Sequence, residues 1–146
     1  MINFDGSHLE KRPDLSISLT DRRRSFPLTV ECKLIDANTG KQVDLYCRKG
    51  LARFLKGEYA WYAQEAMMLA YVRDGSTISL KLTSYLAKNQ TQKTDLFATE
   101  KLPELLNSSC SDLARSRHSR KFRYIDQNPD DNPGPIAVWH LWLPIP

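Results

Sequence analysis

The sequence predicts a mixed α/β domain, a sheet with helices packed against it, spanning residues 1–146 as a single unit. Three observations carry that prediction. Apolar residues alternate at period two in the N-terminal third, and an almost wholly apolar run closes the chain, both β signatures. In the middle they recur every three or four residues, the helical signature. Hydrophobic residues make up 41% of the chain and charged residues 26%, enough to bury a core and too apolar for a disordered chain.

The elements follow in order. Leu15, Ile17 and Leu19 share one face of a first strand, with Asp14, Ser16 and Ser18 on the other. A polar connection containing Arg22, Arg23 and Arg24 leads to a second strand over residues 27–35. There Val30, Cys32 and Leu34 share a face, and Glu31, Lys33 and Ile35 the opposite one. A turn centred near Arg22–Arg23 makes the two an antiparallel hairpin whose register sets Asp14 beside Glu31. Asn38-Thr39-Gly40 reads as a turn. Leu51, Leu55, Tyr59 and Tyr62 predict a helix from about Arg48 to Glu65, with Arg48, Lys49, Arg53 and Lys56 mostly on its other side. Gly57 falls inside it, either as a break or as a place for close backbone approach. Ala66–Val72 reads as a buried strand closed by Arg73-Asp74-Gly75, and Ser76–Lys88 as an amphipathic helix capped by Ser76. Leu113–Tyr124 reads as extended, and Ile136–Ile145 as an apolar strand stopped by Pro144 and Pro146. The stretches 89–94 and 126–135 are loops within the one domain.

Several function classes drop out. No apolar run reaches the roughly 18–20 residues of a membrane span, and the first residues include Asp5 where a secretory signal carries cations. Cys32, Cys47 and Cys110 form no CxxC pair, which predicts reduced thiols in a cytoplasmic protein and excludes a zinc ribbon or disulfide scaffold. Glycine-rich phosphate loops, GxSxG and HExxH are absent from the sequence. The net charge of +4 permits a polyanionic partner without requiring one.

The chemistry-bearing pattern is Pro13-Asp14 followed by Glu31-Cys32-Lys33. Two carboxylates on neighbouring strands can hold one hard cation such as Mg²⁺, or Mn²⁺ in its place, with the Cys32 backbone carbonyl as a third oxygen. Lys33, on the same face as Glu31, can orient an attacking water. Such a site suits phosphodiester hydrolysis, in which charge builds on phosphate oxygens.

This arrangement resembles the PD-(D/E)xK superfamily of restriction-endonuclease-like nucleases, over roughly residues 10–75. The resemblance implies a restriction-endonuclease-like core with a C-terminal β extension, Asp14, Glu31 and Lys33 as the catalytic set, and Mg²⁺-dependent endonucleolytic cleavage of DNA, RNA remaining open. Tyr59 and Gln64, on the helix after the motif, sit where many members place a polar residue near the site. The family's core usually opens with a helix that contributes another acid. Twelve residues precede Pro13, too few for that helix, and Glu10 is the residue that would substitute for the acid. A homodimer or larger assembly would be the natural way to cut both strands.

A second feature supports a nucleic-acid partner. Arg115, Arg117, Lys121 and Arg123 fall on one face of the extended stretch, spaced like phosphates along a strand. Two other readings stand beside the nuclease: a catalytically inactive nucleic-acid-binding or assembly subunit with the same fold, and a protein-binding module using the Trp139/Trp142 strand. His140 reads as a hydrogen-bonded strand histidine and Cys32 as inert packing. The nuclease reading requires Asp14, Glu31 and Lys33 to meet in one polar pocket, the carboxylate oxygens within about 4–6 Å of each other. Glu31 is expected to face away from the core, and a Glu31 on the core face, or an Asp14 on a remote loop, would count outright against the nuclease reading.

Overall fold

The computed structural model describes residues 12–18, 27–107, 110–124 and 132–146. Six strands form one mixed sheet: β1 (Leu15–Ile17), β2 (Leu28–Ile35), β3 (Glu65–Val72), β4 (Thr99–Asn107), β5 (Cys110–His118) and β6 (Ile136–Pro144). Their order across the sheet is β1-β2-β3-β6-β5-β4. β2, β3 and β6 run parallel at the centre, while β1, β5 and β4 are antiparallel to their neighbours.

A parallel pair needs a crossover, and the chain between β2 and β3 supplies a helical one. It consists of α1 (Val43–Tyr46), a π-helical turn (Cys47–Leu51) and α2 (Ala52–Leu55) in succession. A second helical stretch runs from the π-helical Ile78–Thr83 into α3 (Ser84–Gln90). Among the described residues no helix is long and apolar enough to cross a membrane.

The hairpin register is the one expected for strands joined about Arg22–Arg23, with paired residue numbers summing to 45. Leu15 opposes Val30, Ser16 opposes Thr29 and Ile17 opposes Leu28, and one further step sets Asp14 against Glu31. The connection with Arg22–Arg24 lies outside the described residues, as do Leu19 and Glu10. Leu15 and Ile17 are about half exposed, so the apolar side of this edge strand contributes nothing to the core.

Four expectations need correction. The first helix ends at Leu55 and not at Glu65: Gly57 adopts a left-handed φ of 74°, its amide bonds the Phe54 carbonyl, and turns follow. Tyr59 and Tyr62 kept the helical spacing only because they pack on the same core from those turns. Thr77, not Ser76, caps the second helix, accepting from the Leu80 amide. The extended stretch stops as a strand at His118, so Lys121 and Arg123 lie beyond it. The fourth concerns β4, a strand where none was expected. This edge strand contains Pro103 and pairs with β5 through three register shifts, so regular alternation never develops.

One face of the sheet carries the core. Ile35, Met68, Ala70, Val138, Trp142 and Ala114 pack there against helical residues such as Leu51, Phe54, Ile78, Leu82 and Leu86. The opposite face carries Leu34, Met67, Leu69, Trp139 and Leu141, all half-buried. Trp139 and Trp142 therefore project to opposite sides, and only Trp142 is buried, edge-on to Tyr46 at 5.5 Å. They cannot form a single binding surface.

Within the core runs a polar chain. Tyr46 Oη lies 2.7 Å from His140 Nδ1, His140 Nε2 lies 2.7 Å from Ser116 Oγ, and Ser116 Oγ lies 2.7 Å from His118 Nε2. His118 Nδ1 ends the chain 2.9 Å from the Phe97 carbonyl. A carbonyl only accepts, so His118 carries its proton on Nδ1 and Ser116 donates to Nε2. Ser116 then accepts from His140 Nε2–H, and Tyr46 donates to His140 Nδ1. His140 is thus the hydrogen-bonded strand histidine its setting predicts.

Gly50 marks the closest helix–sheet approach. A Cβ there would come 2.3 Å from Met68 Cε and 3.4 Å from Lys33 Cε. Alanine ordinarily favours a helix over glycine by about 1 kcal/mol. Here the atom met is the flexible end of Met68, but Met68 is fully buried, so it can make room only by repacking inside a close-packed core. Gly50→Ala should therefore destabilise the protein by about 1–3 kcal/mol, read as a fall in thermal midpoint. A gain in stability would mean that Met68 repacks freely.

Candidate active site

β1 begins at Leu15, so β2 extends past it, and the last pair of the hairpin is Leu15–Val30. In an antiparallel ladder the amide and carbonyl of a residue point to the same neighbour. Those of Cys32 therefore point to where β1 has already ended. The Asp14 carboxylate occupies that position and accepts from the Cys32 amide at 2.7 Å. The Cys32 carbonyl accepts from Lys33 Nζ at 3.2 Å.

Glu31 is only 2% exposed. It shares the parity of Ile35 and lies on the helix-covered face, which corrects the expectation of a face turned from the core. Its carboxylate nonetheless has polar surroundings. Oε1 accepts from Lys33 Nζ and, at 3.1 Å, from Arg53 Nη1 on α2. Arg53 Nη1 also donates to Tyr59 Oη at 2.6 Å, and Tyr59 Oη donates to the Arg12 carbonyl at 3.1 Å. Tyr59 thus ties the segment leading into Pro13-Asp14 to the helix that neutralises Glu31. Glu31 Oε2 is buried and has no hydrogen-bond partner among the described residues. An unsatisfied carboxylate oxygen at that depth is costly and calls for a donor or a cation.

Two titrating neighbours respond to these charges. The Cys32 thiol is pushed above its ordinary range, first by burial and then by Asp14 and Glu31, with Lys33 opposing. A raised thiol holds its proton, the opposite of what a cysteine nucleophile requires. The Tyr59 phenol is raised by burial and then by Glu31, with Arg53 opposing, and so stays protonated as a donor to Arg12.

The structure therefore brings together Asp14, Glu31, Lys33, the Cys32 carbonyl and Tyr59. Tyr59 reaches the site from a turn and not from a helix. Gln64 does not join. It is exposed just ahead of β3, and its side chain makes no hydrogen bond among the described residues, while its carbonyl accepts from the Ala137 amide. Arg53 was missed because its position in the helical pattern suggested a solvated face. Only tertiary packing reveals that Glu31 lies beneath it.

The basic stretch does not form one row. Arg115 and Arg117 are exposed on the sheet face opposite Glu31, since their alternate neighbours Ala114, Ser116 and His118 are buried on the core side. Both are paired, Arg115 with Glu65 at 3.0 Å and Arg117 with Glu100 at 2.9 Å. Arg115 also sits over the Trp139 ring. Lys121 and Arg123 are exposed and make no ion pair among the described residues.

No group of three or more His, Cys, Asp or Glu side chains with metal-binding geometry occurs among the described residues. Asp14, Glu31 and the Cys32 carbonyl are oxygen donors of the kind Mg²⁺ takes. Glu31 Oε2 is the buried one left without a partner among the described residues, since Lys33 and Arg53 hold Oε1 and Lys33 holds the carbonyl. Comparison with family models, with curated proteins and with solved structures finds no match to this chain.

Proposed function

We propose that the chain is a Mg²⁺-dependent nuclease with a restriction-endonuclease-like core, hydrolysing phosphodiester bonds in DNA. The observation that carries this reading is the buried, unpartnered Oε2 of Glu31, next to a Lys33 whose amine also bonds the Cys32 carbonyl, on a strand whose Cys32 amide is held by Asp14. Asp14, Glu31 and the Cys32 carbonyl would hold the ion, which supplies charge neutralisation at the phosphate oxygens. Lys33, held by Glu31 and the Cys32 carbonyl, orients the attacking water. Arg53 and Tyr59 keep Glu31 and the Asp14 segment in fixed relation. The connectivity agrees with the resemblance: an antiparallel hairpin carrying the motif, a helical crossover, then a parallel strand.

Two observations favour the inactive-subunit reading. Glu31 lies on the core face, the placement that counts against the nuclease, and Lys33 and Arg53 already offset its charge, so this site can stand without a metal. Mn²⁺ titration followed by electron paramagnetic resonance separates the two. The nuclease reading expects saturable binding of Mn²⁺ that Glu31→Gln weakens at least ten-fold, together with cleavage of single- or double-stranded DNA in Mg²⁺ or Mn²⁺. A protein that binds no Mn²⁺ and cuts neither DNA nor RNA is the inactive subunit.

A further inference from the structure

The turn after α2 and the segment after β5 are fastened together beside the candidate site. Arg120 is only 6% exposed, and burial lowers its affinity for its proton. Its guanidinium donates to three backbone carbonyls, Nε to Gly134 at 3.0 Å, Nη2 to Pro133 at 2.9 Å and Nη1 to Ala60 at 3.4 Å, and sits over the Phe122 ring at 5.4 Å. Ala60 itself has a left-handed φ of 47°, an unfavourable conformation for a residue with a Cβ. A second fastening joins Tyr124 Oη to the Trp61 carbonyl at 3.1 Å.

These fastenings assemble four half-buried rings into a chain of edge-on contacts. Tyr62 meets Trp61 at 5.3 Å, Trp61 meets Tyr124 at 5.8 Å, and Tyr124 meets Phe122 at 5.9 Å. Lys121 and Arg123, both exposed, alternate with Phe122 and Tyr124 in sequence. They line an open cavity of about 600 Å³ together with Phe122, Ser119, Asn132 and Glu100, whose carboxylate is paired with Arg117. The turn that supplies Trp61 and Tyr62 starts at Tyr59, which bonds Arg53 and the Arg12 carbonyl. One turn thus carries both a residue of the Asp14/Glu31 site and two rings of the cluster, whereas Arg115 and Arg117 lie on the far face of the sheet.

We propose that this surface binds single-stranded DNA, with Lys121 and Arg123 on the phosphates and bases stacking on the ring cluster. The proposal rests on the nuclease reading only for the further conclusion that an unpaired strand is the substrate. Aromatic faces serve bases that have left a duplex stack, and cations alternating with rings track a backbone whose bases are splayed. A paired duplex offers phosphates to the cations but no free base to the rings.

The test is fluorescence anisotropy with a 20-nucleotide fluorescein-labelled oligothymidine and with a 20-base-pair duplex. Both are titrated in EDTA, so that binding is read apart from cleavage. Lys121→Ala with Arg123→Ala should weaken oligothymidine binding at least ten-fold and lower the log–log salt slope by about 0.7 for each lost phosphate contact. Phe122→Leu, which keeps apolar bulk and removes the ring, should weaken binding with the salt slope unchanged. Arg115→Ala with Arg117→Ala should bind like wild type, and circular dichroism confirms that each variant is folded. The proposal is overturned if the Lys121/Arg123 variant retains wild-type affinity, or if the duplex binds as tightly as the single strand. Loss of cleavage with intact single-strand binding would count against the nuclease reading alone.

Discussion

Asp14→Asn should abolish Mg²⁺-dependent cleavage while leaving the fold and its thermal midpoint unchanged. The asparagine carbonyl oxygen can still accept from the Cys32 amide, so the hairpin register survives, but the charge that would hold a cation is gone. Asp14 is exposed, and replacing it uncovers no buried partner. Lys33→Ala should lower the rate by about 10²–10⁴-fold, the usual worth of a positioned proton-handling group. Its effect on folding is less neutral than that of Asp14, because Glu31 then keeps Arg53 as its only cation among the described residues. Cleavage of labelled DNA over a range of Mg²⁺ concentrations, beside circular dichroism melts, gives both readings. Variants that cut at wild-type rates would remove Asp14 and Lys33 from the chemistry.

The largest effect on stability should come from acid. His118 and His140 are fully buried, and burial pulls their affinities for protons down, to about 4 and about 3. In the unfolded chain both return to the ordinary value near 6.5. Between those limits the unfolded state binds more protons than the folded one, so stability is full above about pH 6.5 and is lost as pH falls toward 4 and then 3. Each unit of difference is worth about 1.4 kcal/mol. Two such histidines together withdraw a large part of a domain's typical ~5–15 kcal/mol. Protonation also destroys the polarity of the chain, since His118 Nε2 and His140 Nδ1 must both accept. Circular dichroism from pH 8 downward should show cooperative unfolding between about pH 6 and 4. A native signal persisting at pH 3 would refute the assignment. Ser116→Ala tests the same chain at neutral pH. It strips a partner from both rings at once, at about 1–3 kcal/mol for each orphaned nitrogen.

The sequence was most legible where burial is continuous and the next partner lies close along the chain. β3 and β6 are apolar runs with turn residues or prolines at their ends, so their existence and nearly their limits could be read directly. A short hairpin ties register to turn position, which is why Asp14 could be set against Glu31 from spacing alone. The end of the first helix was less legible. Periodicity reports which side of a residue is buried, and Tyr59 and Tyr62 bury the same side from turns as they would from a helix. β4 left little trace, because an irregular edge strand has one neighbour and no fixed alternation to display.

By itself the sequence determined the motif, the strands that carry it, and the pairing that sets Asp14 near Glu31. Only the tertiary structure decided what surrounds Glu31. That the polar end of the helix-covered face receives Arg53 and Tyr59 depends on how a helix crosses the sheet, a contact between residues 22 positions apart that no local pattern encodes. The division of the basic stretch has the same origin. Arg115 and Arg117 stay with the strand and project from its far face, Arg120 is drawn into the interior by three carbonyls, and Lys121 and Arg123 pass to the side of Trp61. Charge along a chain is a property of sequence, but the surface that collects it is set by where a strand ends and what the following segment is fastened to.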